Sequence, residues 1–124
     1  MSVIKFTSTD SSFDSYPTPL EKQLSGPVTQ YIANHYSDPT NQFHVGFWGS
    51  EVGSWRVSYS EHEYCQLLEG RVELEDDQGN KTPILAGEHF VIPAGFSGIW
   101  HSLTPCKKLY VIYEATPPTT AETT

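Results

Sequence analysis

The sequence predicts an all-β domain, antiparallel throughout and folded as a barrel or sandwich. Two observations carry this. Short apolar or alternating runs recur between Gly and Pro punctuation. The composition joins turn-formers to strand-formers, with nine Gly, nine Pro, seven Tyr, six Phe and three Trp. No stretch shows a capped helical period. At 124 residues the chain is one domain, large enough to bury a core without staples.

The elements follow in order. Residues 1–26 are rich in Ser, Thr, Asp and Pro and read as an irregular arm with room for one short strand. The barrel is expected over 27–115. HVGFW (44–48) is an apolar strand, and GSEVGS after it is a turn. WRVSYS (55–60) alternates, with Trp55, Val57 and Tyr59 on one face and Arg56, Ser58 and Ser60 on the other. EYCQLLEGRVEL (63–74) gives two strands broken at Gly70, and DDQGN (76–80) is a hairpin turn. An apolar run lies within TPILAGEHFVIPAG (82–95), and GIWHSL (98–103) and KKLYVIYE (107–114) are the last two strands. The tail, 116–124, carries no apolar side chain larger than Ala and is expected to be disordered.

Charge narrows the partners. Fifteen acidic against seven basic residues give a net charge of -8. Nucleic acid is therefore not an expected partner, since phosphate binding needs a basic face. No apolar run is long enough for a helical membrane span and no leader pattern opens the chain, so a soluble cytoplasmic protein is expected. Cys65 and Cys106 are too few for a disulfide framework and read as free thiols.

The glycines and the proline in the middle are regularly spaced. Glu63 is followed by six residues and then Gly70, and Gly87 by five residues and then Pro93-Ala94-Gly95. Gly70 lets a strand bend, while Pro93 and Gly95 set a tight turn. This spacing resembles the two motifs of the cupin superfamily, and DDQGN fits the hairpin between them. EYCQLLEGRVEL, AGEHFVIPAGFSGIW and KKLYVIYE together resemble small single-domain cupins of the (S)-ureidoglycine aminohydrolase-like and ethanolamine-utilisation-like kind, over residues 43–114. Glu88 stands where that group usually has Asp. The resemblance implies an RmlC-like jelly-roll β-barrel.

In metal-binding cupins two His and one Glu of the first motif, and one His of the second, hold a divalent ion. Here the first two positions fall on Val57 and Tyr59, or on Arg56 and Ser58, and the last on Gly98. Glu63 alone remains, and one carboxylate does not hold a transition metal. No metal or other cofactor is expected. The five His, at 35, 44, 62, 89 and 101, do not restore the set by spacing and read as structural or surface residues.

Strand parity puts Glu63, Cys65 and Leu67 on one face, and Lys108, Tyr110 and Ile112 on one face of the last strand. An inward carboxylate must be paired, hydrogen-bonded or protonated. Lys108 is the expected partner of Glu63, with Arg56 second, and both Glu63 and Lys108 are candidate catalytic groups. The candidate pocket comprises Trp55, Arg56, Tyr59, Glu63, Cys65, Trp100, Lys108 and Tyr110. Trp55 and Trp100 serve either core packing or pocket lining, roles that overlap at a barrel mouth. Cys65 reads as a buried inert thiol rather than a nucleophile, because no His is placed to activate it.

Three functions are compatible with this pattern. The first is metal-independent binding of a small molecule in an aromatic pocket around one buried Glu. The second is an enzyme of the ureidoglycine- or ethanolamine-associated type acting on a small metabolite. The third is a structural dimerisation module, since a homodimer through sheet edges is the expected assembly.

Overall fold

The computed structural model describes residues 1–7 and 12–115, and the expected disordered tail lies outside them. Ten strands are present among the described residues: β1 (Asp14–Pro17), β2 (Thr29–Ser37), β3 (Phe43–Ser50), β4 (Gly53–Ser58), β5 (His62–Glu69), β6 (Arg71–Asp76), β7 (Lys81–Leu85), β8 (His89–Ile92), β9 (Ser97–Ser102) and β10 (Cys106–Tyr113). A 3-10 turn at Leu20–Lys22 links β1 to β2.

The strands form two sheets, and every pairing is antiparallel. The larger runs β1-β2-β3-β10-β5-β8 and the smaller β4-β9-β6-β7. Successive strands from β3 onward mostly change sheets, which produces the jelly roll. The alternation of apolar and polar side chains explains why. Trp55, Trp100, Val72, Leu74 and Ile84 of the smaller sheet face Trp48, Leu67, Ile92 and Tyr110 of the larger one in a single buried cluster.

Three indoles hold the two sheets together. The Trp48 and Trp100 rings meet edge to face at 5.1 Å, and Trp55 stacks on Trp100 at 6.5 Å. Such contacts each add about 0.5–1.5 kcal/mol beyond area burial. At the far end of the cluster, Trp100 Nε1 donates to Ser102 Oγ at 2.8 Å, and Ser102 and Ser50 hydroxyls lie 2.6 Å apart across the sheets. Polar groups buried there are thus satisfied by one another.

The structure corrects the reading of the first half of the chain. β3 continues to Ser50, so only two residues separate it from β4 where a six-residue turn was expected. β2, which no strand prediction covered, is nine residues long. Its pattern is hard to read because a bulge between Asn34 and Tyr36 resets the alternation. The N-terminal arm supplies the edge strand β1, and Phe6 stacks on His35 at 4.7 Å.

Gly70 shows how the sequence enforces the bend between β5 and β6. It has φ +89, and a Cβ there would lie 2.3 Å from the Pro105 carbonyl oxygen. Left-handed backbone costs an L residue roughly 1–2 kcal/mol before any clash. Gly70→Ala should therefore lower unfolding free energy by more than about 2 kcal/mol in urea titration; a loss near zero would show that this bend is not required.

Candidate functional site

β4, β5 and β10 bring the site together. Glu63 begins the inward face of β5, and Ile112 and Lys108 on β10 sit beside it in register with Glu63 and Leu67. Glu63 and Lys108 are both about 4% exposed. Their charged ends meet, with Lys108 Nζ 2.7 Å from Glu63 Oε2. The same carboxylate oxygen accepts the Cys65 thiol at 3.2 Å. The ammonium lies over the faces of Trp48 and Trp100, at 4.9 and 4.6 Å from the ring centres.

Above this pair opens a cavity of about 460 Å³. Trp55, Val57, Tyr59 and Trp100 from the smaller side and Glu63, Lys108, Tyr110 and Ile112 from the larger side line it. The Tyr110 hydroxyl donates to Asn34 Oδ1 at 2.7 Å, and the Tyr16 hydroxyl donates to Gln30 Oε1 at 2.9 Å while accepting from Trp48 Nε1 at 3.0 Å. The Tyr59 hydroxyl has no hydrogen-bond partner among the described residues. Glu63 Oε1 receives no hydrogen bond from a neutral group among them. The walls beside the pair are thus largely apolar, while Lys22, His44, Arg56 and Glu61 also line the cavity.

One predicted pocket residue, Cys65, is placed differently. Arg56 is exposed on β4 and lines the cavity, but the partner of Glu63 is Lys108, not Arg56. The strand alternation that turns Trp55 inward turns Arg56 outward. Cys65 is wholly buried behind Glu63 and does not line the cavity. Conversely, Tyr16, Gln30, Asn34 and Trp48 line it without having been predicted. Trp48 is in the apolar run HVGFW and its parity could have marked it. The other three depend on β1 and β2, whose pairing has no local sequence signal.

Burial sets the protonation states. It pushes the Cys65 thiol up to about 12 and the Tyr110 phenol up to about 12, and it raises Tyr59 as well. For Lys108 burial pulls the value down, but the negative groups around it, Cys65 when ionised, Glu63 and Tyr59, outweigh that and hold the ammonium well above the usual lysine range. At neutral pH Cys65 is a thiol and no nucleophile.

The residues do not fit the divalent ion that many cupins hold. Val57, Tyr59 and Gly98 carry no imidazole, and a positive ammonium sits against the one carboxylate. No group of three or more His, Cys, Asp or Glu among the described residues could hold a metal ion. Gly98 is moreover closed to a side chain, because a Cβ there would lie 2.0 Å from the Glu75 carbonyl oxygen on β6.

The class this fold defines is a two-sheet antiparallel jelly roll with a pocket between its sheets, the architecture of the cupins among others. The EutQ-like cupin domain model matches residues 37–110, and the chain belongs to that family. Among solved structures, a DUF861-family protein of unknown function from Pseudomonas syringae pv. tomato superposes with a TM-score of 0.75 at 21% identity, covering 83% of this chain and 45% of that one. The chain therefore spans less than half of that relative. The EutQ protein of Clostridium difficile gives a TM-score of 0.64 at 19% identity, with 71% and 70% covered. An ethanolamine utilisation protein Q from Salmonella typhimurium gives 0.64 at 16%, with 85% and 99% covered. At these identities the likeness is one of fold. A search of the curated proteins finds no match.

Two predictions follow from the pair and its surroundings. Glu63→Gln or Lys108→Met alone leaves an unpaired buried charge and should cost about 3–5 kcal/mol in urea unfolding. The double variant should be more stable than either single one; if it is as unstable as their sum, the two residues are not coupled. The alkaline limb gives a second test. Cys65, Tyr59 and Tyr110 titrate higher in the folded protein than in the unfolded chain, which begins to release protons near the ordinary thiol value of 9.0. Lys108 acts in the same sense: its contribution is complete below the usual lysine value of 10.5 and is lost as pH rises past it. The urea midpoint should thus fall steadily above about pH 9, and a flat profile to pH 11 would contradict these assignments.

Proposed function

We propose that this chain is a small-molecule-binding cupin in which the Glu63–Lys108 pair occupies the place that a metal takes in other members of the superfamily. The observation that carries it is a buried, mutually neutralised ion pair beside an aromatic cavity of ligand size. Neutralisation has a consequence for the ligand. A charged group approaching one member of the pair is repelled by the other, and its own desolvation is uncompensated. The ligand is therefore neutral where it meets the pair, with a hydrogen-bond donor for Glu63 Oε1 and an apolar body against Trp55, Val57 and Ile112. The Tyr59 hydroxyl supplies a further polar contact at the opposite wall.

An enzymatic reading has weaker support. Glu63 is held by a cation and Cys65 is kept as a thiol, so neither is a free base or nucleophile. Nothing in the cavity favours amidohydrolysis of the ureidoglycine type.

The test is a fragment screen of neutral alcohols and amides against matched carboxylic acids and amines, read on the indole N–H signals of Trp48, Trp55 and Trp100 by ¹H–¹⁵N NMR. Neutral fragments should shift these signals, and the Glu63→Gln/Lys108→Met double variant should abolish the shift. The reading fails if no fragment moves them, or if the charged fragments bind more tightly.

A further inference from the structure

A second group of chemical side chains lies on the outside of the smaller sheet, away from the cavity. Ser54 on β4 and His101 on β9 are directly opposite each other in register. Glu75 on β6 stands diagonally across from His101, which pairs with Glu73. Alternation puts all three on the solvent face, because their neighbours Trp55, Trp100 and Leu74 point into the core. Ser54 Oγ is 2.6 Å from His101 Nδ1, and His101 Nε2 is 2.9 Å from Glu75 Oε1. The imidazole and the carboxylate are each a little over one-fifth exposed.

The carboxylate settles the direction of this chain of hydrogen bonds. An ionised Glu only accepts, so in the neutral imidazole Nε2 carries the proton and Nδ1 offers its lone pair. Ser54 then donates to Nδ1. This is the arrangement of a nucleophile, a base and an orienting acid, with the two ring nitrogens exchanged relative to the protease arrangement. Both ring nitrogens are competent bases, so the exchange does not remove the chemistry. Diagonal and direct cross-strand contacts hold all three groups on a rigid sheet.

We propose that Ser54 is a covalent acyl-acceptor site for activated esters and thioesters. In the step, Ser54 Oγ bonds to the acyl carbon and the bond to the leaving group breaks, its electron pair departing with the leaving group. The Oγ proton passes to His101 Nδ1, while the Nε2 proton stays against Glu75. No oxidant or reductant enters. The Ser54 N–H is already bound by Ser25 Oγ at 2.9 Å and is not free to stabilise an oxyanion. The reaction is therefore confined to donors with good leaving groups, and it modifies the serine stoichiometrically instead of turning over.

Ser58 and Ser97 provide an internal reference. Both are exposed on the same face of the same two strands, and neither is hydrogen-bonded to an imidazole. The intact chain is treated with p-nitrophenyl acetate and, separately, with a fluorophosphonate, and modified residues are located by peptide mass spectrometry. Ser54 should react at least about 100-fold faster than Ser58 or Ser97, the smaller end of the range for general-base assistance. His101→Gln and Glu75→Gln should each slow Ser54, with His101→Gln bringing it down to the reference rate, and Ser54→Ala should remove the fast modification. Thermal melts of each variant establish that it is folded, and the cavity is untouched by all of them. The proposal is overturned if Ser54 in the folded protein reacts no faster than Ser58, if folded His101→Gln reacts as fast as the parent, or if the stable acetyl group is found on His101.

Discussion

The structure depends on one buried contact, the ion pair between Glu63 and Lys108. An ammonium and a carboxylate taken from water cost several kcal/mol each unless they meet in good geometry. Here they meet at 2.7 Å, and the remaining faces of the ammonium are covered by the rings of Trp48 and Trp100. Those indoles are also the contact between the two sheets. The pair and the core packing are therefore one construction: a shift of β10 relative to β5 would separate the charges and carry the ammonium off the indole faces.

This construction explains the chemistry of the cavity. A metal would need neutral imidazoles converging on Glu63, and the chain offers an apolar side chain, a phenol and a glycine at those places. Gly98 is fixed by packing, because the β6 backbone passes where its side chain would start. The ammonium supplies the positive charge that the carboxylate requires. With the charge balanced from inside the protein, the pair itself presents no net charge to the cavity, and aromatic rings form much of the wall around it. The Cys65 thiol, tucked behind the carboxylate, adds a hydrogen bond and no reactivity.

The two faces of the smaller sheet illustrate how a period of two separates two sets of side chains. Trp55 and Trp100 point inward to the cavity, while Ser54 and His101, their immediate neighbours, point outward and meet Glu75. One backbone register positions both sets. Arg56 follows the same rule: it lies on the face opposite Trp55 and is exposed, it lines the cavity, and Glu63 is paired by Lys108 in its stead.

The run 82–95 read as a single apolar stretch, which the structure divides into β7 and β8 on different sheets. The sequence by itself determined the strands β3 to β6, β9 and β10, the breaks at Gly70 and the Pro93–Gly95 turn, and the inward face bearing Glu63, Lys108, Trp55 and Trp100. Those features are local: turns need particular backbone angles, and alternation within one strand is visible in one strand. Only the tertiary structure decided that Tyr16, Gln30 and Asn34 reach the cavity, since they arrive on β1 and β2 through pairings with distant strands and past a bulge that resets the alternation. It also decided the Ser54–His101–Glu75 array. His101 read from sequence as a surface residue, because register between strands 47 and 26 residues apart is set by how the whole sheet packs, not by any spacing along the chain.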